Sequence, residues 1–417
     1  MKNNLKNGDS IPIEILLNRA INEYKSSNKF QLNNLRKVSF INKLWNERKI
    51  NKLTEKLIND LEPYKAEFQK EQSADVFFSS PMKEEIKSIV TGFMFEADKR
   101  KLLFDRPFLK FFIENGYLDV AEEFIRAAKK ETPLLKDEEI FQAMRNVWIM
   151  NSLQIFWGLP LKMTPSVYAY SMLYPYTDNF LDNPELSKEE KINFNERLYK
   201  VLDGEKLTSA NFVEEKVFSL IGQIESQYGR DTHYQVFESL KLIQEAQTKS
   251  MKQDRDEILT KDKILPISFF KGGASVLADA FLVKGNLNID EMYFAFTYGT
   301  FLQLIDDLQD AEEDKKDRHQ TLFSTRNENE IVDNEIKRLI SYIFKLNTVN
   351  EPDTETMYFM KQVISSCTLI MIMEAAARNP ELISGKLYKQ LESYSKVRLP
   401  YYKKFEEKIK SGFTGAM

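Results

Sequence analysis

The stretch Tyr298–Asp314, YGTFLQLIDDLQDAEED, decides how the rest of the chain is read. Asp306, Asp310 and Asp314 recur at intervals of four, which on a helix stacks them into one stripe. The stripe runs back through Leu302, Gly299, Tyr298 and Ala295, which are apolar, aromatic or small. A helix face with carboxylates at one end and greasy surface at the other commonly lines a cavity. Like charges at this spacing oppose each other by roughly 0.2–0.5 kcal/mol per pair. A cation is expected to relieve them, and an all-oxygen donor set favours Mg²⁺.

A second stretch, Val167–Asp182, VYAYSMLYPYTDNFLD, repeats the pattern. Asp178 and Asp182 are four apart, and Tyr174 and Tyr170 stand one and two turns before Asp178. Two such helices facing each other would form a chamber with an apolar floor and a divalent-metal mouth. That chamber suits a molecule with an anionic, metal-binding head and a long hydrocarbon tail.

The run Leu302–Asp310, LQLIDDLQD, resembles the second aspartate-rich motif of trans-prenyl diphosphate synthases, F-Q-x-x-D-D-x-x-D. Asp178-Asn179-Phe180-Leu181-Asp182 is similar to their first motif, DDxxD, with Asn in the second place. Between the two, Lys271-Gly272-Gly273 stands where that family carries a Lys-Thr-Gly or Lys-Thr-Ala step, and the pieces keep family order from about Met163 to Arg318. The resemblance implies a class I isoprenoid synthase with an all-α helical bundle. It also implies about three Mg²⁺ ions, held chiefly by Asp178, Asp182 and Asp306, with Asp307 and Asp310 secondary. Under it, Lys271 would contact diphosphate and Arg318 would be a further candidate. Tyr170, Tyr174, Tyr298, Gly299, Leu302 and Gln303 would border the prenyl chain, and Tyr401 in RLPYYKKF is a candidate lid or a packed aromatic.

Departures from the family bear on the reaction. Chain-elongating synthases carry an Arg-Arg pair after the first motif and an upstream Gly-Gly-Lys-x-x-Arg, which hold the acceptor diphosphate. After Asp182 this chain reads NPELSKEEKINFNER, without an arginine pair, and no Gly-Gly-Lys step lies upstream. Cyclisation or elimination of one prenyl diphosphate is therefore expected ahead of elongation. Terpene cyclases usually show N-x-x-x-S-x-x-x-E in the second place, whereas two DxxxD motifs are also used by squalene- and phytoene-type condensing enzymes. A prenyltransferase and a non-catalytic helical scaffold with fortuitous acidic stripes stay open as alternatives.

Composition bounds the rest. Over 417 residues, hydrophobic side chains make up 42% and aromatics 12%, enough for a large apolar interior. The net charge of −4 argues against a polyanion-binding protein, so no nucleic-acid partner is expected. With one cysteine, Cys367, no intramolecular disulfide can form, and His233 and His319 are too few for a histidine-built zinc site. The first twenty residues lack the apolar core of a signal peptide. No run reaches the roughly 18 apolar residues of a membrane span. A soluble cytoplasmic protein without a transmembrane segment follows, with peripheral membrane contact left open.

Glycine and proline are scarce and helical periods dominate, so the fold class is all-α. The layout reads as a loose tail over 1–10, an N-terminal helical region over 11–135 packing on the bundle, and a catalytic bundle over 136–417. Pro63 is expected to break a helix over Val38–Glu71, and Pro175 to kink the helix just before Asp178. Thr164-Pro165, Ser187 with Glu190, and Asn288 with Glu291 read as helix starts. The C-terminal third reads as helices near Asn329–Lys345, Glu355–Ala377 and Leu387–Ser411. Paired glycines beside Lys271 imply that something approaches the backbone closely there.

Overall fold

The computed structural model describes residues 10–30, 32, 35–68, 81–132, 135–254, 258–327, 330–348 and 353–413, with the side chains at 65–68, 81, 137, 182 and 413 outside that description. The tail expected over 1–10 falls almost wholly outside it. Among the described residues the chain is all-α, with no strands. The N-terminal part contributes α1 (Ile13–Ser26), α2 (Phe40–Phe68), α3 (Pro81–Lys99), α4 (Leu109–Glu114) and α5 (Tyr117–Glu131). There follow α6 (Asp137–Phe156), α7 (Pro165–Asp182), α8 (Lys188–Leu202), α9 (Phe212–Gln227), α10 (Tyr234–Ser250), α11 (Lys261–Lys284) and α12 (Ile289–Gln309). The chain ends with α13 (Ala311–Asp317), α14 (Asp333–Leu346), α15 (Glu355–Arg378), α16 (Gly385–Tyr394) and α17 (Leu399–Phe413).

Helix α11 lies at the centre. Its residues from Ile264 to Leu282 are buried nearly all round, as a helix without a polar face must be. It packs on α12, α10, α6, α1 and α7. Helices α11 and α12 meet backbone to backbone. A side-chain carbon on Gly299 would overlap the Gly272 carbonyl, and one on Gly273 would overlap the Phe296 ring. The close approach implied by the paired glycines is therefore the approach of α12, made possible by a third glycine. Ile11, Leu16, Ala20 and Tyr24 of the N-terminal segment belong to the same core cluster as α7, α11 and α12.

Local chemistry sets several helix starts. Thr164 accepts from the Val167 amide with Pro165 in the first turn, and Ser187 with Glu190 and Asn288 with Glu291 form reciprocal capping boxes. Other boundaries differ from expectation. Helix α2 runs through Pro63 unbroken. The bond that proline forfeits would go to the carbonyl of Asn59, an exposed residue that water can serve. The single helix expected over Leu387–Ser411 is two, α16 and α17, separated at Ser395–Arg398 just before Pro400. Tyr401 does not close a chamber: it is buried with Ile50, Leu102 and Val397, its hydroxyl 2.9 Å from Asn51 Oδ1.

Two helices, α11 and α15, are long and apolar enough to cross a membrane by length and composition, although no uninterrupted apolar run of that length exists. Of their apolar windows, 78% and 56% respectively are buried inside the protein, which is how core helices pass the same test.

Candidate active site

Helices α6 and α7 are antiparallel neighbours, and α12 brings its C-terminal end to the same rim. Asn179 of α7 donates to Glu139 near the start of α6. One turn and a half along α6, Arg145 Nη2 stands 3.6 Å from Asp306 Oδ1 of α12. Tyr174 hydrogen-bonds Asp178, and its hydroxyl is held un-ionised above the ordinary phenol range by burial first and then by the Asp178 charge, with Asp306 adding and Arg145 opposing. One phenol thus lies in the field of side chains from α6, α7 and α12. Asp178 and Asp306 both act on the Tyr174 hydroxyl, and the rim around it is the candidate mouth.

Below that mouth, α12 presents Phe294, Tyr298, Leu302 and Asp306 at intervals of four, each retaining partial exposure deep in the bundle. The stripe lies on the side of α12 that meets α6. Phe294 stacks on Phe156 with ring centroids 4.0 Å apart. Tyr170 lies across from α11, bonded to Ser275, and Tyr298 faces Tyr117 and Cys367. Burial pushes the Cys367 thiol up to about 11, so it is a neutral wall residue. Gly299 and Ala295 do not join this wall. Both are buried on the α11 side, where Gly299 serves the helix crossing.

The acidic residues after Asp306 divide by environment. Asp307 points into α11, accepting from Ser268 Oγ at 3.1 Å and Gln303 Nε2 at 2.8 Å. Burial raises its carboxyl to about 6, with Gln303 and the nearby Lys271 ammonium pulling the other way. Gln303 therefore orients Asp307, and Lys271 is placed at the same level of α11. Asp310 ends α12 instead of continuing it: its φ of −96° and ψ of 7° leave the helix, and α13 starts afresh. The expected stripe through Asp310 and Asp314 on one helix is thus broken at Asp310. Partial burial, then Asp306 and Glu313, raise the Asp310 carboxyl against the pull of Arg145 and Arg378. Asp314 is half-buried, and burial pushes it to about 7 against His319. Arg318 takes a left-handed conformation at φ 61° and lines a separate polar cleft of about 540 Å³ with Asp254, Lys315, His319 and Ser324.

Asp182 closes α7, but its side chain lies outside the described residues. Among the described residues, no three His, Cys, Asp or Glu side chains form a metal-binding group. The donors at the mouth are nonetheless all oxygen, the chemistry Mg²⁺ takes. The exposed Arg145–Asp306 contact is worth no more than about 1 kcal/mol, so it yields readily to a competing cation.

Two features escape the motif-level reading. Arg145 sits on a helix whose aromatics attract attention first, and only the meeting of α6 with α12 gives it a role. Asp279 of α11 is fully buried beside Tyr170 and Tyr298, with neither carboxylate oxygen hydrogen-bonded among the described residues. Its signal was present: it is the one charge in the run Gly272–Val283. Burial holds it protonated well above 3.8, the value it has when unfolded. The folded state then keeps a proton that the unfolded chain releases. The stability this contributes is complete below 3.8 and is lost as pH rises towards the folded value. Asp279→Asn cannot titrate, so the stability of the wild type relative to this variant should decline from pH 4 to pH 8 in urea melts. A pH-independent difference would mean the carboxyl is ionised and partnered.

No protein-family model, curated protein or solved structure matches this chain.

Proposed function

We propose that the chain is a Mg²⁺-dependent class I isoprenoid synthase that ionises a prenyl diphosphate and releases diphosphate by cyclisation or elimination. The observation that supports this reading most is that Asp178, Asp306 and Arg145 all act on the Tyr174 hydroxyl, with Arg145 also 3.6 Å from Asp306, so that charges from both motif helices neighbour one phenol. Asp178, Asp306 and Asp310 supply the oxygen donors there, with Asp182 as the fourth by its place on α7. Bound Mg²⁺ would act as a Lewis acid on the departing diphosphate. Lys271 and Arg145 add fixed positive charge towards the leaving oxygens. The hydrocarbon tail would lie along Tyr174, Tyr170, Leu302 and Tyr298. Aromatic faces there stabilise an allylic cation, and the stacked Phe156 and Phe294 exclude water from below.

Arg145 also favours a second reading. It provides a basic group at the mouth that a transferase could use for an acceptor diphosphate. The assay that separates the readings is pyrophosphate release from prenyl diphosphates from C10 to C35 with Mg²⁺, with and without isopentenyl diphosphate. Release without acceptor is the expected result, and strict dependence on acceptor would establish the transferase. Folded protein that releases nothing from any substrate would leave only a helical scaffold. Arg145→Gln should raise KM by about tenfold with a smaller change in kcat, since it loses a charge-assisted contact to the diphosphate made before and during ionisation. An unchanged KM would remove Arg145 from the site.

A further inference from the structure

Helix α2 carries a surface that plays no part in the proposed chemistry. One side of it is committed to the protein. Lys43 donates to the Glu392 carbonyl, Glu47 accepts from Arg398 Nη2 at 2.6 Å, and Ile50, Thr54 and Leu57 are buried. At 3.6 residues per turn, Ile41, Trp45, Arg48, Lys49, Lys52 and Lys56 fall on the opposite side, within an arc of roughly 100°. All six are exposed. Ile41 is 66% exposed and Trp45 55%, one turn apart on this arc, so two large apolar side chains stand together in water. Single exposed hydrophobics are ordinary, but a cluster rimmed by polar residues marks a contact surface.

Charge says what covers it. From Arg36 to Lys56 the chain carries seven lysines and arginines against two glutamates, in a protein whose net charge is −4. Both glutamates are neutralised from α16–α17, Glu47 by Arg398 and Glu55 by Lys408 at 2.8 Å. The exposed arc is therefore uniformly cationic around its apolar cluster, and Arg48 lies 5.5 Å from the Trp45 ring. A second copy of this chain would bring like charge against like. A nucleic acid would satisfy the lysines but leave Ile41 without a use. A lipid surface with anionic headgroups takes both: cations at the phosphates, and Trp45 and Ile41 at the acyl boundary.

We propose that the first half of α2 is a docking face for anionic phospholipid bilayers, with Trp45 and Ile41 entering the interface and Arg48, Lys49, Lys52 and Lys56 held at the headgroups. The surface stands independently of the reaction at Asp178 and Asp306.

Sedimentation of the full chain with vesicles tests it. The protein is expected to pellet with phosphatidylcholine–phosphatidylglycerol vesicles, to stay in solution with phosphatidylcholine alone, and to be released by added salt. The pair Lys49→Glu and Lys52→Glu should weaken binding by more than about 25-fold, roughly fivefold for each charge removed with reversal adding to it. The pair Ile41→Ser and Trp45→Ser should weaken it by about tenfold at constant charge. All four positions are solvent-exposed, and unchanged circular dichroism and Tm verify the fold. Should one pair fail to fold, the other pair and the salt titration of the wild type still decide. Wild-type protein that ignores anionic vesicles overturns the proposal, as do variants that pellet like the wild type. So does a dimer in ultracentrifugation that both pairs abolish, or single-stranded RNA binding that Ile41→Ser with Trp45→Ser leaves intact while vesicles go unbound.

Discussion

Asp306→Ala is expected to lower pyrophosphate release by about 10²–10³-fold or more, because it removes an oxygen donor that would hold the Mg²⁺ facing the departing diphosphate. The same change should leave the fold untouched. The Asp306 side chain is 47% exposed, and its ion pair with Arg145 is long at 3.6 Å. Losing such a pair costs at most about 1 kcal/mol. Full helix content and an unchanged Tm, together with abolished turnover, would place Asp306 in the chemistry. Retained turnover would exclude it, and with it the proposed role of the mouth. Asp307→Ala should behave differently. It strips Ser268 and Gln303 of a buried acceptor, so loss of stability is expected alongside any loss of rate.

The largest effect on stability is expected at Gly299. Here α11 and α12 touch with no side chain between them, and even a methyl group would overlap the Gly272 carbonyl. Backbone cannot turn aside as the tip of a long side chain can, so the helices must separate along their length. Gly299→Ala should cost at least about 3 kcal/mol, the upper end for overpacked cores, and Gly299→Val more. Gly92, which has open space around it, provides the control: Gly92→Ala should be neutral or stabilising, by up to about 1 kcal/mol through helix propensity. Urea midpoints that fall equally for Gly92→Ala and Gly299→Ala would mean that the crossing is looser than described.

Much of this architecture was legible because it is written locally. Thr164-Pro165, Ser187 with Glu190 and Asn288 with Glu291 satisfy amides within a turn of themselves, so sequence and structure coincide at those starts. What was not legible depends on partners distant in the chain. Pro63 reads as a break unless one knows that the carbonyl it abandons faces water. Asp310 carries no stop signal, yet the helix ends there. The paired glycines announced a close neighbour without naming it, and Gly299 was read towards the cleft when it faces α11. The site divides in the same way. Tyr174, Asp178 and Asp306 could be suspected from spacing, whereas Arg145 joins them only because α6 crosses to the rim of α12.

The glycine crossing also decides which parts of the mouth are free to adjust. Lys271 and Asp307 ride on two helices in direct main-chain contact, so the spacing of their backbones is set by that contact, with no intervening side chain to absorb error. Together they act as an anvil. Any rearrangement that gathers carboxylates around a ligand must come from the opposite jaw, where α7 carries Asp178 beyond Pro175, a residue that leaves its helix one hydrogen bond short.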